Sequence, residues 1–194
     1  MKKNGFTLIE LLSVIVILGI ISTIAVPQVT GYIEKSKRSA FVQIANSYVD
    51  SVNASITSEV FDAPVESNDV TIVNIDMIDL DKEITNSPYG SPWVIPKSYV
   101  AVVNEGTKTK PRYAYYFAGQ DEDRNAIPLT KISELTEKSV TNEARNTMEV
   151  TVQSLAGSIA GNESTKGIIS GLDNIKDKDG KKQDWNVKIY TNQN

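Results

Sequence analysis

The chain of 194 residues contains no histidine and no cysteine, and these two absences narrow the chemistry open to it. Without those side chains it has no Ser-His-Asp triad, no cysteine nucleophile, no zinc site built on His or Cys, and no iron–sulfur cluster. Disulfides are excluded as well, so a folded domain must rely on its hydrophobic core. What remains is carboxylate, lysine, tyrosine or serine chemistry, or no catalysis. No nucleophile stands beside a recognisable base, and the sequence therefore predicts a protein that is not an enzyme and needs no cofactor.

Charge is almost missing from residues 6–33. Between residues 6 and 33 the single charged side chain is Glu10, whereas residues 35–194 carry 18 basic and 22 acidic side chains. The net charge of −4 and the lack of a basic stripe argue against nucleic acid as a partner. This asymmetry indicates one apolar N-terminal segment followed by one polar domain.

The apolar segment is long enough to cross a membrane. Phe6–Val26 contains 21 residues, and a helix of that length spans about 31 Å, close to the hydrocarbon thickness of a bilayer. A cleaved secretory signal has a shorter apolar stretch, and Ala25-Val26-Pro27 is a poor cleavage site. Basic residues flank both ends of the segment, so charge alone does not set its orientation. No second apolar span follows, and the rest of the chain is expected on one side of the membrane.

Glu10 is the residue of this segment that requires an explanation. An unpaired carboxylate inside a bilayer costs several kcal/mol, and such residues usually have a function. One interpretation places Glu10 close enough to the interface to stay hydrated. The other pairs it with a cation inside a bundle of apolar helices. A new N-terminus at Phe6 would supply that cation, since an α-amino group is positive at neutral pH.

The eight residues Gly5–Leu12, behind a short lysine-rich leader, resemble the class III signal of type IV pilins and pseudopilins. The resemblance implies that a prepilin peptidase cleaves between Gly5 and Phe6 and that the new Phe6 amine is N-methylated. It also implies that Glu10 compensates the Phe6 amine of a neighbouring subunit. The similarity is strong over residues 2–45, and beyond them it concerns architecture alone.

The resemblance further implies a structural pilin subunit that waits in the cell membrane and then associates with its own kind in a helical, extracellular pilus. An assembly ATPase and a platform protein would be its partners. We expect a type IV pilus that supports surface adhesion, motility or biofilm formation. The alternative is a pseudopilin of a type II-like secretion or competence DNA-uptake machine, for which this chain is longer than needed. A membrane-tethered enzyme is the weakest interpretation.

The lack of cysteine also bears on the source of the chain. Many Gram-negative pilins close their C-terminal region with a disulfide, and this sequence departs from that pattern. The departure favours a Gram-positive source.

Helical periodicity continues beyond the apolar segment. Pro27 removes one backbone hydrogen bond and is expected to bend the helix, which then resumes. We predict a leader at residues 1–5, an apolar half-helix at 6–33, an amphipathic half-helix at 34–60 and a β-rich head at 61–194. The fold class is α+β, with a long kinked N-terminal helix packed on a mostly antiparallel sheet. Apolar residues at spacings of three or four carry the amphipathic pattern: Phe41, Ile44, Tyr48, Val52 and Ile56.

Several segments of the head have strand-like patterns, and two of them form a predicted hairpin. Both faces of that hairpin carry apolar residues, which indicates a central pair of strands with its tyrosines in the core rather than exposed to bind glycans. A short helix is expected around Lys131–Ser139. The predicted strands are Val70–Ile75, Tyr99–Val103 and Arg112–Phe117 (the hairpin), Met148–Val152, and Trp185–Tyr190.

Acidic residues form two groups that resemble metal sites. Three adjacent carboxylates at Asp121–Asp123 are interpreted as part of a solvated loop. A second group lies near a fragment of a calcium loop, but the EF-hand pattern needs acids where Ile175 and Asn186 stand. We therefore predict a tight turn and no metal there. The weak candidates for calcium are Asp173, Asp177, Asp179 and Asp184.

Overall fold

The fold was derived from a computed structural model, which describes residues 6–67, 69–78, 80, 85–141, 165–167 and 185–191. The chain divides into two compact units, Met1–Lys37 and Arg38–Asn194. The strand predicted at Met148–Val152 and the four calcium candidates lie outside the described residues, as does Gly5.

One helix, α1 (Leu8–Thr57), accounts for nearly all of the N-terminal third of the chain. Pro27 lies inside α1, and the helix continues through it, as expected. Because proline has no N–H, it leaves the carbonyl one turn earlier without its usual donor. On the following turn, the Thr30 hydroxyl donates to the carbonyls of Pro27 at 3.0 Å and Val26 at 3.2 Å. These are local side-chain-to-backbone bonds within the helix, and they do not replace the donor that proline lacks.

Among the described residues of the head, six strands form a sheet in the order β4-β3-β2-β1-β6-β5. Its neighbouring strands are antiparallel except β1 and β6, which are parallel. The prediction of a mostly antiparallel sheet beside a long helix is therefore confirmed. The strands are β1 (Asp69–Asn74), β2 (Tyr99–Asn104), β3 (Tyr113–Gln120), β4 (Ala126–Lys131), β5 (Thr165–Gly167) and β6 (Trp185–Tyr190).

One face of the sheet packs against the C-terminal part of α1. On the helix, Phe41 and Val52 are completely buried, and Tyr48 lies parallel to the ring of Phe117 with 6.1 Å between ring centroids. Trp93 meets Phe41 edge to face at 5.1 Å. Burying a side chain of this size contributes about 1.5–3 kcal/mol. The predicted apolar stripe of the helix is thus core, as expected.

The other face of the sheet carries a second apolar cluster, which includes Val70, Ile72, Tyr99 and Ile189. Strand β2 is buried along its whole length, because its residues alternate between the two clusters. A strand covered on both faces is expected to be apolar, as β2 is from Tyr99 to Val103. The hairpin of β2 and β3 is therefore central, as predicted.

The prediction of a short helix around Lys131–Ser139 is wrong. Lys131 ends strand β4, and two three-residue 3-10 turns follow, at Ile132–Glu134 and Glu137–Ser139. Strand β4 itself was not predicted. Pro128 lies within it and weakens its strand pattern, but proline is tolerated on an edge strand, where one side of the backbone needs no partner.

Candidate functional site

The large apolar side chains of α1 between Phe6 and Ile33 are exposed rather than packed within the chain. Leu8 is 84% exposed, and the least exposed of the group, Val14, is still 46% exposed. Over an 18-residue window the mean hydropathy is 2.6, with none of the window buried. By length and composition this helix can cross a membrane, a test that an N-terminal signal sequence also passes. We call residues 6–33 the apolar half-helix.

Hydroxyl groups within the apolar half-helix bond to its own backbone. The Ser13 hydroxyl donates to the Ile9 carbonyl at 2.8 Å, and the Thr23 hydroxyl to the Gly19 carbonyl at 2.9 Å. In hydrocarbon each polar group needs a partner, and these bonds provide one without a neighbouring chain. Glu10 remains as the one charged group of the segment.

Glu10 lies in the first turn of α1, where it forms a capping box with Thr7. Thr7 directly precedes the helix, and its backbone N–H donates to Oε2 of Glu10 at 2.8 Å. The Thr7 hydroxyl donates to the same oxygen at 2.7 Å, while the Glu10 N–H donates to that hydroxyl at 3.3 Å. The box provides acceptors for two N–H groups that the start of a helix leaves without intrahelical partners. It also places a carboxylate at the positive end of the helix dipole.

The structure places two of the predicted site residues at the start of α1 and a third within it. Phe6 is 83% exposed and immediately precedes Thr7, so Phe6 and Glu10 lie four residues apart at the start of the helix. Pro27 lies within the same helix, many turns away. Sequence reasoning missed Thr7. The signal was present as Thr-x-x-Glu at residues 7–10, the sequence pattern of a capping box.

Residues 1–26 match the family model of the prokaryotic N-terminal methylation motif. The chain carries a type IV pilin-like class III signal. Such a signal indicates a precursor of the type IV pilin or pseudopilin kind. Proteins of this kind are structural. In general the signal implies pilus assembly machinery and filament formation. Neither the curated proteins nor the solved structures gave a match to the chain.

The pilin-like signal and the apolar half-helix fit together. The matched residues contain the exposed start of α1, and the same helix is long and apolar enough to cross a membrane. Both features fit a membrane-anchored precursor.

In the head, the interpretation of the acidic run Asp121–Asp123 as a solvated loop is wrong for Asp121, which is buried. Its side chain is completely buried, and it accepts hydrogen bonds from the Ser87 hydroxyl at 2.5 Å and from the Asn125 N–H at 2.8 Å. The Asn125 side-chain amide adds a third, at 2.9 Å. Because Ser87 belongs to the proline-rich loop before β2, and Asn125 to the β3–β4 turn, the carboxylate joins two loops. A bridge between Trp93 and Asp121 reinforces this junction.

A second cluster ties the last strand to the loop that follows α1. The Tyr190 hydroxyl donates to Oδ2 of Asp62 at 2.8 Å, and Lys188 forms an ion pair with the same oxygen. Hydrogen bonds from Lys188 and Tyr190 hold the pKa of Asp62 below its usual range, while Asp62 raises the pKa of Lys188. Phe61 packs on Tyr190, with 4.8 Å between ring centroids. We call these four residues the C-terminal clamp.

Proposed function

We propose that the chain is a structural subunit of a type IV pilus, assembled through its apolar half-helix and supporting surface adhesion, motility or biofilm formation. The observation that carries this proposal is the exposed apolar helix whose single carboxylate lies four residues from Phe6, within the matched motif. A helix cap needs only an acceptor at that position, which glutamine supplies equally, so an anchor that only holds a head on a membrane has no need of the charge. An assembly element does, because it must meet its neighbours in one register.

In this proposal a prepilin peptidase removes residues 1–5, and the new amino group of Phe6 is methylated. The Phe6 amine of one subunit then pairs with Glu10 of a neighbour. At about 4 Å and an effective dielectric constant of about 20, opposite unit charges attract by about 4 kcal/mol. Apolar side chains that leave the bilayer are already out of water, and their packing against one another favours no particular stagger. The apolar residues therefore supply cohesion at many staggers, whereas the ion pair favours one.

Processing and assembly are tested on surface filaments of the source bacterium. Filaments sheared from cells are analysed by mass spectrometry, and we expect an N-terminal peptide that begins at Phe6 and is one methyl group heavier than unmodified. A Gly5→Leu precursor serves as the control, because a bulky residue at the cleavage junction should block processing. Sheared filaments that contain the chain with residues 1–5 attached would refute the proposal.

Filament type is tested by immunogold electron microscopy with antibody to residues 35–194. Continuous labelling of surface filaments is expected for a major subunit, and sparse or tip labelling for a minor one. The alternative function is that of a pseudopilin in a type II-like secretion or competence DNA-uptake machine. Unlabelled surface filaments, together with loss of secretion or DNA uptake when the chain is deleted, would establish that alternative. The Gram-positive source stays a prediction.

A further inference from the structure

We propose that Thr7 is a positioning residue for assembly: it holds one oxygen of the Glu10 carboxylate and reserves the other for the amine of a neighbouring subunit. This inference rests on the proposed function and names a residue that neither the matched motif description nor the sequence reasoning assigns. Its basis is the geometry of the first turn of α1, where the two Thr7 donors converge on a single oxygen of the carboxylate.

The two oxygens of the Glu10 carboxylate have different partners. Oε2 of Glu10 accepts the Thr7 N–H at 2.8 Å and the Thr7 hydroxyl at 2.7 Å. Within the described part of the chain, no group donates to Oε1. A carboxylate offers lone pairs on both oxygens, so the arrangement leaves one oxygen available to an incoming cation. A free glutamate would instead sample several rotamers, each of which must be restricted when subunits meet.

The surroundings of Glu10 are apolar. Every other residue between Phe6 and Ile33 is uncharged, and the large apolar side chains around it are exposed to whatever medium surrounds the helix. Where that medium is hydrocarbon, a carboxylate without donors is strongly disfavoured. Two short hydrogen bonds from Thr7 stabilise it within its own subunit before a neighbour arrives. Charge-assisted bonds of this kind are among the stronger hydrogen bonds in proteins.

The hydroxyl of Thr7 both accepts and donates, and this allows the positioning role to be separated from helix capping. As an acceptor it receives the Glu10 N–H at 3.3 Å, which is the capping function. As a donor it binds Oε2 of Glu10, which is the positioning function. Serine performs both functions, valine performs neither, and aspartate caps helices well but has no proton to donate when ionised.

The experiment compares Thr7→Ser, Thr7→Val and Thr7→Asp in the full-length chain produced in the source bacterium. Membrane insertion, cleavage and filament yield are measured, with yield expressed per cleaved subunit. We expect Thr7→Ser to assemble like the wild type, and Thr7→Val and Thr7→Asp to lose about tenfold or more in yield, the effect of losing one charge-assisted hydrogen bond. Thr57→Val is the matched control. It removes a hydroxyl from the other end of α1, where it donates to the Asn53 carbonyl at 2.8 Å, and is expected to assemble normally.

The outcomes distinguish this inference from the proposed function. Absence of filaments from the wild-type chain would refute the proposed function. Wild-type filaments together with a normal yield from Thr7→Val would overturn the role of Thr7 alone. A normal yield from Thr7→Asp would show that Thr7 acts only as a helix cap, and would overturn it as well. Loss of yield in Thr7→Ser would have the same consequence, because serine keeps both functions.

Discussion

Oε2 of Glu10 lies 2.7 Å from the hydroxyl and 2.8 Å from the backbone N–H of Thr7, so the charged group of the apolar half-helix is bonded within its own subunit. In the proposed function Glu10 therefore has two roles: it caps the first turn of α1, and it sets the register of assembly. The first needs a hydrogen-bond acceptor at position 10, and the second needs a negative charge there. A substitution that keeps the acceptor and removes the charge separates them.

Glu10→Gln is that substitution, and Glu10→Ala removes both functions. Glutamine completes a capping box as glutamate does, so Glu10→Gln precursors are expected to insert, be cleaved and keep their first helical turn. Both variants are expected to lose surface filaments, which electron microscopy measures. Hydrogen exchange at the amides of residues 7–10 is expected to rise in Glu10→Ala alone. Normal filaments from Glu10→Gln would contradict the pairing of Glu10 with a neighbour's amine.

Pro27→Ala tests what proline does inside α1. Alanine restores the missing N–H and its bond to the carbonyl one turn earlier, and it removes a residue that costs about 3 kcal/mol in a helix interior. We expect slower hydrogen exchange of the amides in residues 23–31 of the detergent-solubilised chain. Amides near Phe41, which the head buries, serve as the internal reference and are expected to stay unchanged. Equal exchange in both proteins across residues 23–31 would show that Pro27 does not weaken the helix.

Local patterns in the sequence were sufficient to predict much of the fold. The buried stripe of α1 follows from residues spaced by three or four, because a helix repeats every 3.6 residues, and the first half of α1 follows from an unbroken apolar run of membrane length. The strand Trp185–Tyr190 was predicted with its observed bounds. Glu10 could be singled out because it is the one charged residue of an apolar segment. Thr7 could have been found from the same eight residues, but its capping pattern was not recognised.

What the sequence could not supply depends on contacts between distant residues. The burial of Asp121 requires Ser87, which lies 34 positions earlier in the chain. The C-terminal clamp joins Asp62 to Lys188 across 126 positions. A parallel pair of β1 and β6 inside an otherwise antiparallel sheet has no local signal, since the sequence of a strand does not specify its partner. Such pairings are properties of the packed sheet.

Asp121→Ala is expected to destabilise the head strongly. It removes the acceptor of three hydrogen bonds and leaves the donors of Ser87 and Asn125 buried without partners. We expect the free energy of unfolding to fall by about 3 kcal/mol or more, measured by urea unfolding of the solubilised chain with tryptophan fluorescence. Asp123→Ala, at an exposed position in the same turn, is the control and is expected to cost less than about 1 kcal/mol. Similar losses from both variants would argue against a special role for the buried carboxylate.

Asp62→Asn tests the C-terminal clamp through its dependence on pH. Because Lys188 and Tyr190 lower the pKa of Asp62, its contribution to stability is present above the unfolded-state pKa of about 3.9 and is lost as pH falls through the lower folded value. Asp62 raises the pKa of Lys188, so the same contribution is lost when pH rises beyond about 10.4. Between these limits we expect the variant to unfold with about 1 kcal/mol less free energy than wild type, since Asp62 is largely exposed. Urea unfolding curves recorded at several pH values measure the difference. Glu66→Gln, which breaks the more exposed pair with Lys108, is expected to change stability less. A difference between wild type and Asp62→Asn that stayed constant from neutral pH to strong acid would contradict an ionic clamp, because protonated aspartic acid and asparagine are both uncharged.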